Sequence, residues 1–150
     1  MGELQILPME SAHLLQLHKA EIACFNAPWS ISTLGDVLLN PNGVSLAAFL
    51  GEKLVGYGLM LNMEIVGESE IINIAVLPEY RSRRIGDALL RALIQRGEGK
   101  ISLEVRASNE AARALYMKHN FVAKGLRKEY YKNPTEDAII MWLEVNGEKT

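Results

Sequence analysis

A single cysteine, Cys24, is present in the 150 residues, which excludes an internal disulfide and makes a reducing cytoplasm the simplest home. Metal-binding spacing is also missing. His13, His18 and His119 are scattered, so no metal site is expected. No apolar run approaches the ~20 residues that span a bilayer. The start carries acidic Glu3 and lacks the basic-then-apolar order of a signal peptide, so no membrane association is expected. With a net charge of −2 there is no excess of positive charge, and basic and aromatic residues do not interleave. Both points argue against nucleic-acid binding. No internal repeat, low-complexity tract or linker interrupts the chain.

What is present fits one packed domain over residues 1–150, with 49% hydrophobic and 23% charged residues. The organising stretch is Glu70 to Gly97. Ile71, Ile72, Ile74, Ala75, Val76 and Leu77 make a near-continuous apolar run, the pattern of a strand buried on both faces. Pro78 ends it. A turn containing Arg81, Ser82, Arg83 and Arg84 follows. Next comes a helix whose Ile85, Ala88, Leu89, Ala92 and Leu93 share one face. The first amides of a helix have no internal acceptors, and the helix dipole adds positive potential there. With three arginines beside them and Gly86 allowing close approach, the turn reads as a pyrophosphate cradle or as a solvated charge cluster.

The rest of the chain reads in order. Glu3 to Pro8 alternates as a strand. Met9 to Phe25 reads as a helix, with Ala12, Leu15, Ile22 and Phe25 sharing a face and Leu14 and Leu17 beside it. His13 and His18 read as surface or flank residues. Pro28 breaks the chain, and Ser30 caps a short second helix to about Leu39. Trp29 between them is either a core plug or a substrate wall. Val44–Leu50 and Leu54–Ile65 read as antiparallel strands joined at Gly51-Glu52-Lys53. The arginine-turn helix ends near Gly97 and Gly99. Ile101 to Arg106 alternates, with Ile101, Leu103 and Val105 on one side and Ser102, Glu104 and Arg106 on the other. Ser108-Asn109-Glu110 starts a last helix, ended by His119-Asn120-Phe121. Phe121–Tyr131 and Ala138–Val145 read as two final strands, and Asn146–Thr150 as a loose tail.

Two side chains stand out for chemistry. Glu104 lies mid-strand on a polar side, where a carboxylate can take a proton directly or through water, or can serve as a plain ion-paired strand residue. Tyr116 lies seven residues after Asn109, so both share a helix face roughly 10 Å apart. A phenol with pKa near 10 facing a cleft can act as an acid, or it can be an amphipathic core residue.

Taken together, the element order and motifs resemble the GNAT N-acetyltransferase family. Its cofactor motif, Arg/Gln-x-x-Gly-x-Gly/Ala, corresponds to Arg81-Ser82-Arg83-Arg84-Ile85-Gly86, with Arg84 in place of the first glycine. Pro28-Trp29-Ser30, Leu103 to Asn109, Ala114-Leu115-Tyr116, Asn120-Phe121, Tyr130-Tyr131 and Glu136 to Met141 resemble the RimI branch. The resemblance spans about residues 3 to 145. It implies an α/β (α+β) fold with a mixed, mostly antiparallel sheet of about seven strands flanked by four helices. It implies acetyl-CoA as cosubstrate and a ribosomal protein's N-terminal alanine as acceptor. Glu104 then corresponds to the general base, and Tyr116 to the general acid. The loop Arg81, Ser82, Arg83, Arg84, Ile85, Gly86 and Asp87 corresponds to the pyrophosphate site. Ile74, Ala75 and Val76 correspond to the pantetheine-binding strand, Asn109 to a residue beside the pantetheine arm, and Trp29, Tyr130 and Tyr131 to the peptide groove.

An α-amine with pKa near 7.7–8.0 is about a tenth neutral at pH 7, so deprotonation costs only about 1 kcal/mol. The expected route is a water relay to Glu104, with the Val76 amide as donor to the carbonyl oxygen and Cys24 inert. Arg84 is expected near the phosphates or in solvent, and the chain as a monomer or weak dimer. The competing expectations are a family member acting on a small amine or another peptide, and a non-catalytic CoA-binding module.

Overall fold

The computed structural model describes residues 3–144. The strand expected to reach Val145 therefore ends, as described, at Glu144, and the tail 146–150 lies outside the described residues. The elements are β1 (Leu4–Pro8), α1 (Leu14–Cys24), α2 (Ile31–Leu39), β2 (Gly43–Leu50), β3 (Lys53–Met63), β4 (Glu68–Val76), α3 (Ile85–Arg96), β5 (Lys100–Arg106), α4 (Glu110–Lys118), β6 (Val122–Tyr131) and β7 (Glu136–Glu144). They form one seven-stranded sheet in the order β1-β2-β3-β4-β5-β7-β6. Every neighbouring pair is antiparallel except β4 with β5.

Two cores cover the two faces. On one face α3 and α4 bury Ile85, Leu89, Leu90, Leu93 and Tyr116 against Ile71, Ile101, Leu103 and Val105. On the other, α1 and α2 bury Leu17, Ala20 and Leu34 against Ala47, Phe49, Tyr57 and Leu59. Against the sheet, the helices α1 and α2 pack chiefly on β2, β3 and β4. On that face the polar side of β5, with Ser102 and Glu104, is left for something other than a helix.

The first helix differs from its expected form in both length and facing. Met9 extends the sheet through a bond from its amide to the Ser45 carbonyl, and residues 11–13 form a single 3-10 turn. The α-helix begins only at Leu14. Leu15 and Ile22, expected inside, are exposed, and the buried positions are Leu17, Ala20 and Glu21. A residue count begun at Met9 carries the wrong phase into a helix that starts five residues later. The second helix follows expectation: Ser30 Oγ accepts from the Thr33 amide at 3.1 Å.

At the other end of the sheet, α4 is tied to α3 by charge. The Asp87 carboxylate lies 2.9 Å from His119 Nε2 and 3.0 Å from Lys118 Nζ. The hydrogen bond with His119 is the main cause that holds Asp87 below the usual carboxylate range. A depressed carboxylate contributes stability that is complete above its unfolded value and is lost as pH falls through its folded one. Asp87→Asn is therefore expected to flatten the acid limb of the stability–pH curve below about pH 4. Urea unfolding of both proteins from pH 3 to pH 7 checks this, and parallel acid limbs would refute it.

Candidate active site

The site begins where two strands part. The parallel strands β4 and β5 pair over only three positions, Glu68 with Lys100, Ser69 with Ile101 and Glu70 with Ser102. Beyond these, β4 follows β3 and β5 follows β7. The register of β3 with β4 shifts between Leu59 and Met60, leaving Ile72 as an extra residue in β4. Such a bulge bends its strand. The outcome is an opening between residues 71–76 of β4 and 103–106 of β5.

Main-chain groups face this opening. The Leu77 amide donates to the Val55 carbonyl at 2.9 Å, and Ala75 is opposite Tyr57. In an antiparallel ladder, alternate residues point their N–H and C=O groups to opposite edges. The groups of Ile74 and Val76 therefore point away from β3. The Val76 carbonyl agrees: it accepts from Arg81 Nε at 2.9 Å and from Cys24 Sγ at 3.5 Å. Cys24, distant in the chain, thus sits at the end of β4. Burial pushes its thiol up, which keeps it protonated and poorly nucleophilic at neutral pH.

The arginine turn supplies a second set of free donors. Among the described residues, none of the amides from Ser82 to Asp87 donates to a protein acceptor. They lead into the N-terminus of α3, with the exposed side chains of Arg81, Arg83 and Arg84 around them. This is an arrangement suited to phosphate oxygens. Arg84 itself has φ +64° and ψ +20°. That left-handed conformation favours glycine and costs other residues roughly 1–2 kcal/mol. The turn adopts this conformation with the costlier residue in place. Gly86 also lies against α4. A Cβ built there would meet Leu115 of α4 at 3.4 Å, close to ordinary van der Waals contact. The Asp87 side chain is committed to Lys118 and His119, which leaves only its amide to the cradle.

Glu104 and Tyr116 approach from opposite faces of the sheet. Glu104 is on the α1–α2 face of β5, 19% exposed, ion-paired through Oε2 to Arg127 Nε. Arg127 reaches it from β6 across β7, over the buried Ala138. Glu70 lies on the same face, level with Ser102. Burial first, and then the Glu104 charge, raise its carboxyl. Tyr116 is buried on the α3–α4 face, its ring 5.8 Å from that of Phe121. Burial, with Tyr131 a lesser cause, pushes its phenol up to about 12. Tyr131 stands near both groups, and burial and then Glu104 push it up to about 12 as well. Tyr130 packs edge-on against Tyr131 at 5.1 Å, and the Glu104 carboxylate beside it raises its phenol.

Asn109 caps α4, with Oδ1 accepting from the Ala112 amide at 3.1 Å. Trp29 is half-buried against the α1–α2 core, and its amide donates to Glu21 Oε2 at 3.0 Å. Among the described residues no cluster of His, Cys, Asp and Glu is arranged to hold a metal, and no helix is long and apolar enough to cross a membrane.

Residues 14–121 match the model of the acetyltransferase (GNAT) family. The chain belongs to that family. The family's seven-stranded sheet and four helices, anticipated from the element order, are present. The chain is 35% identical over 156 aligned positions to the ribosomal protein bS18-alanine N-acetyltransferase of Escherichia coli K12, covering 94% of this chain and 97% of that protein. The crystal structure of the ribosomal-protein-S18-alanine N-acetyltransferase from Escherichia coli superposes with a TM-score of 0.86 at 30% identity, covering 99% of each chain. An Arabidopsis thaliana structure, NAA60 in complex with acetyl-CoA, superposes with a TM-score of 0.84 at 19% identity, covering 97% of this chain and 100% of that one, a likeness of fold.

Three site residues escape a reading of the sequence. Arg127 lies in a strand that looks solvated, and only the β5-β7-β6 order brings it to Glu104. Glu70 looks like the start of an apolar strand until its register with Ser102 is known. Glu21 had a legible signal: it stands four residues after Leu17 and three before Cys24, which puts a carboxylate on the buried stripe of α1.

Proposed function

We propose that this chain transfers an acetyl group from acetyl-CoA to the N-terminal α-amine of a protein, and that the acceptor is the N-terminal alanine of a small-subunit ribosomal protein. The observation that carries the reading is the opening between β4 and β5, with unpaired amides at one end; Glu104 and Tyr116 are the side chains we assign to its two sides. The relatives named for this reaction align over nearly the whole chain. A bacterial cytoplasm, where ribosomal proteins are made, is the compartment this reading calls for.

The chain's own groups fit the cosubstrate. The amides of residues 82–87, with Arg81, Arg83 and Arg84, suit a pyrophosphate. Ile74, Ala75 and Val76 offer main-chain partners to a pantetheine amide, and Asn109 keeps its Nδ2 to offer. Bound there, acetyl-CoA supplies an acyl thioester that a neutral amine attacks. Glu104 accepts the amine's proton through a water, since its Oε2 is held by Arg127 and the ammonium cannot take that position without displacing the guanidinium. The Val76 amide donates to the carbonyl oxygen as negative charge develops. Tyr116 donates a hydrogen bond to the departing sulfur. With a pKa of about 12, it lies about 3.5 pH units above a free thiol near 8.5, so outright transfer would be uphill by roughly 5 kcal/mol. Donation without full transfer is the role its burial favours. Trp29, Tyr130 and Tyr131 line the acceptor side.

A substrate panel tests the reading: a peptide beginning with alanine, the same peptide with a blocked terminus and a free lysine, and a polyamine. Acetylation of the first alone supports it. Acetylation of the polyamine or of the lysine in its place would transfer the chain to another acceptor class.

The Arg84 substitution carries its own expectation. Because the cradle uses main-chain amides, acetyl-CoA binds well below millimolar concentration with Arg84 in place. Arg84→Ala keeps the left-handed Cβ and removes a charge, so its affinity loss should be less than about tenfold and shrink as salt rises. Calorimetric titration at two salt concentrations measures this, and loss of binding in the wild type at millimolar cofactor would refute it.

A further inference from the structure

The mechanism leaves one buried charged side chain unused. Glu21, on α1, is 1% exposed. Its Oε1 accepts from the Tyr57 hydroxyl of β3 and from Asn73 Nδ2 of β4 at 3.3 Å. Its Oε2 accepts from the Trp29 amide at 3.0 Å. Burying a carboxylate is expensive unless its oxygens are matched by donors, and here three donors from three different segments converge on it. Two are rigid. Tyr57 lies in the middle of the sheet and is itself fully buried. Asn73 follows the bulge at Ile72, which breaks the alternation of β4 so that Ile72 and Asn73 both turn to the α1 side. The third donor belongs to the connection between α1 and α2, whose residues Asn26, Ala27 and Pro28 are exposed.

We infer that Glu21 is a positioning residue for acceptor specificity: it fastens the Trp29 segment, one wall of the peptide groove, to the same stretch of β4 that lines the acyl-donor opening. The inference rests on the proposed N-terminal acetyltransferase reading and goes beyond it, since it assigns a role to a group far from the reacting atoms. Asn73 stands directly before Ile74, Ala75 and Val76. The carboxylate therefore sets the distance between the wall that holds the peptide and the strand that holds the donor. A core carboxylate kept only for stability has no need to spend one oxygen on a loop amide, because Trp29 N could be solvated where the loop is exposed. A charged acceptor makes this bond stronger than a neutral one, so an uncharged amide at position 21 should slacken the wall without removing it.

The test is steady-state kinetics on Glu21→Gln, Trp29→Ala and the double variant, with an alanine-starting peptide as acceptor. Glu21→Gln should raise the peptide KM by about tenfold, the loss of one charge-assisted bond in effect. Its kcat should stay within about threefold, and acetyl-CoA affinity should be unchanged. If Glu21 acts through Trp29, the double variant should show the KM of Trp29→Ala alone. Additive effects, or an unchanged peptide KM in a folded Glu21→Gln protein, would overturn the inference. Should Glu21→Gln fail to fold, Tyr57→Phe removes one hydroxyl and keeps the ring. A rise in peptide KM with kcat held supports the inference, and an unchanged KM overturns it. Failure of the parent reading looks different: the wild type itself would not acetylate the peptide.

Discussion

Glu104→Gln is expected to lower kcat by about 100-fold or more with acetyl-CoA affinity unchanged, and Tyr116→Phe by about 100-fold. A carboxamide fills the same space as the carboxylate but cannot take a proton. Arg127, left without its partner, is 56% exposed and is resolvated, so the fold should lose little. The tyrosine change is equally selective. Its ring packs on Phe121 and into the α3–α4 core, and phenylalanine keeps that packing. The hydroxyl makes no hydrogen bond to a protein group among the described residues, so its removal should leave thermal stability close to that of the wild type. Pre-steady-state and steady-state rates, with melting temperatures for each variant, check both. Unchanged rates in either folded variant would remove that residue from the mechanism.

Gly99→Ala is expected to destabilise the fold by about 2–4 kcal/mol, the sum of overpacking and left-handed strain. Gly99 has φ +52°, and a Cβ built there would stand 2.2 Å from the Gly67 carbonyl oxygen. That oxygen belongs to the backbone and cannot rotate away. The clash falls beside Glu68 and Lys100, the first of only three paired positions joining β4 to β5. The same substitution should therefore disturb the root of the opening and weaken acetyl-CoA binding. Gly51→Ala is the control, because φ is +62° there but nothing lies within 4 Å of the new Cβ. It should cost about 1 kcal/mol. Equal urea midpoints for the two alanine variants would contradict this account.

The parts of the site that were legible in the sequence are local ones. Pro28 and Ser30 announce the break and the cap of α2, and Asn109 announces the cap of α4. The arginine turn reads as a set of free amides because every helix start has them, and among the described residues they have no other partner. Alternation in β5 separates Ile101, Leu103 and Val105 from Ser102, Glu104 and Arg106 without further help. What was not legible depends on register and order. Nothing near Arg127 says that its strand lies beyond β7, and nothing near Glu70 says that it sits level with Ser102. The bulge at Ile72 decides which face Asn73 presents, and a one-residue shift of that kind leaves no mark on an apolar run. The facing of α1 failed for a simpler reason, a helix start displaced by a 3-10 turn. The displaced count then put Leu15 inside and passed over Glu21.

The departure at Arg84 shows how position and identity separate. The φ of +64° is what the turn demands, and a glycine would supply it with less strain. The chain accepts the strain because its neighbours fix the turn. Arg81 Nε bonds the Val76 carbonyl ahead of it, and the Arg84 carbonyl accepts from the Ala88 amide behind it.

The most direct measurement is a crystal structure of the wild type with acetyl-CoA. The account predicts pyrophosphate oxygens on the amides of residues 82–87, the thioester between β4 and β5, and its sulfur on the Tyr116 side with its carbonyl carbon open to Glu104. A cofactor seated on another surface, or a thioester with both side chains turned from it, would contradict the account.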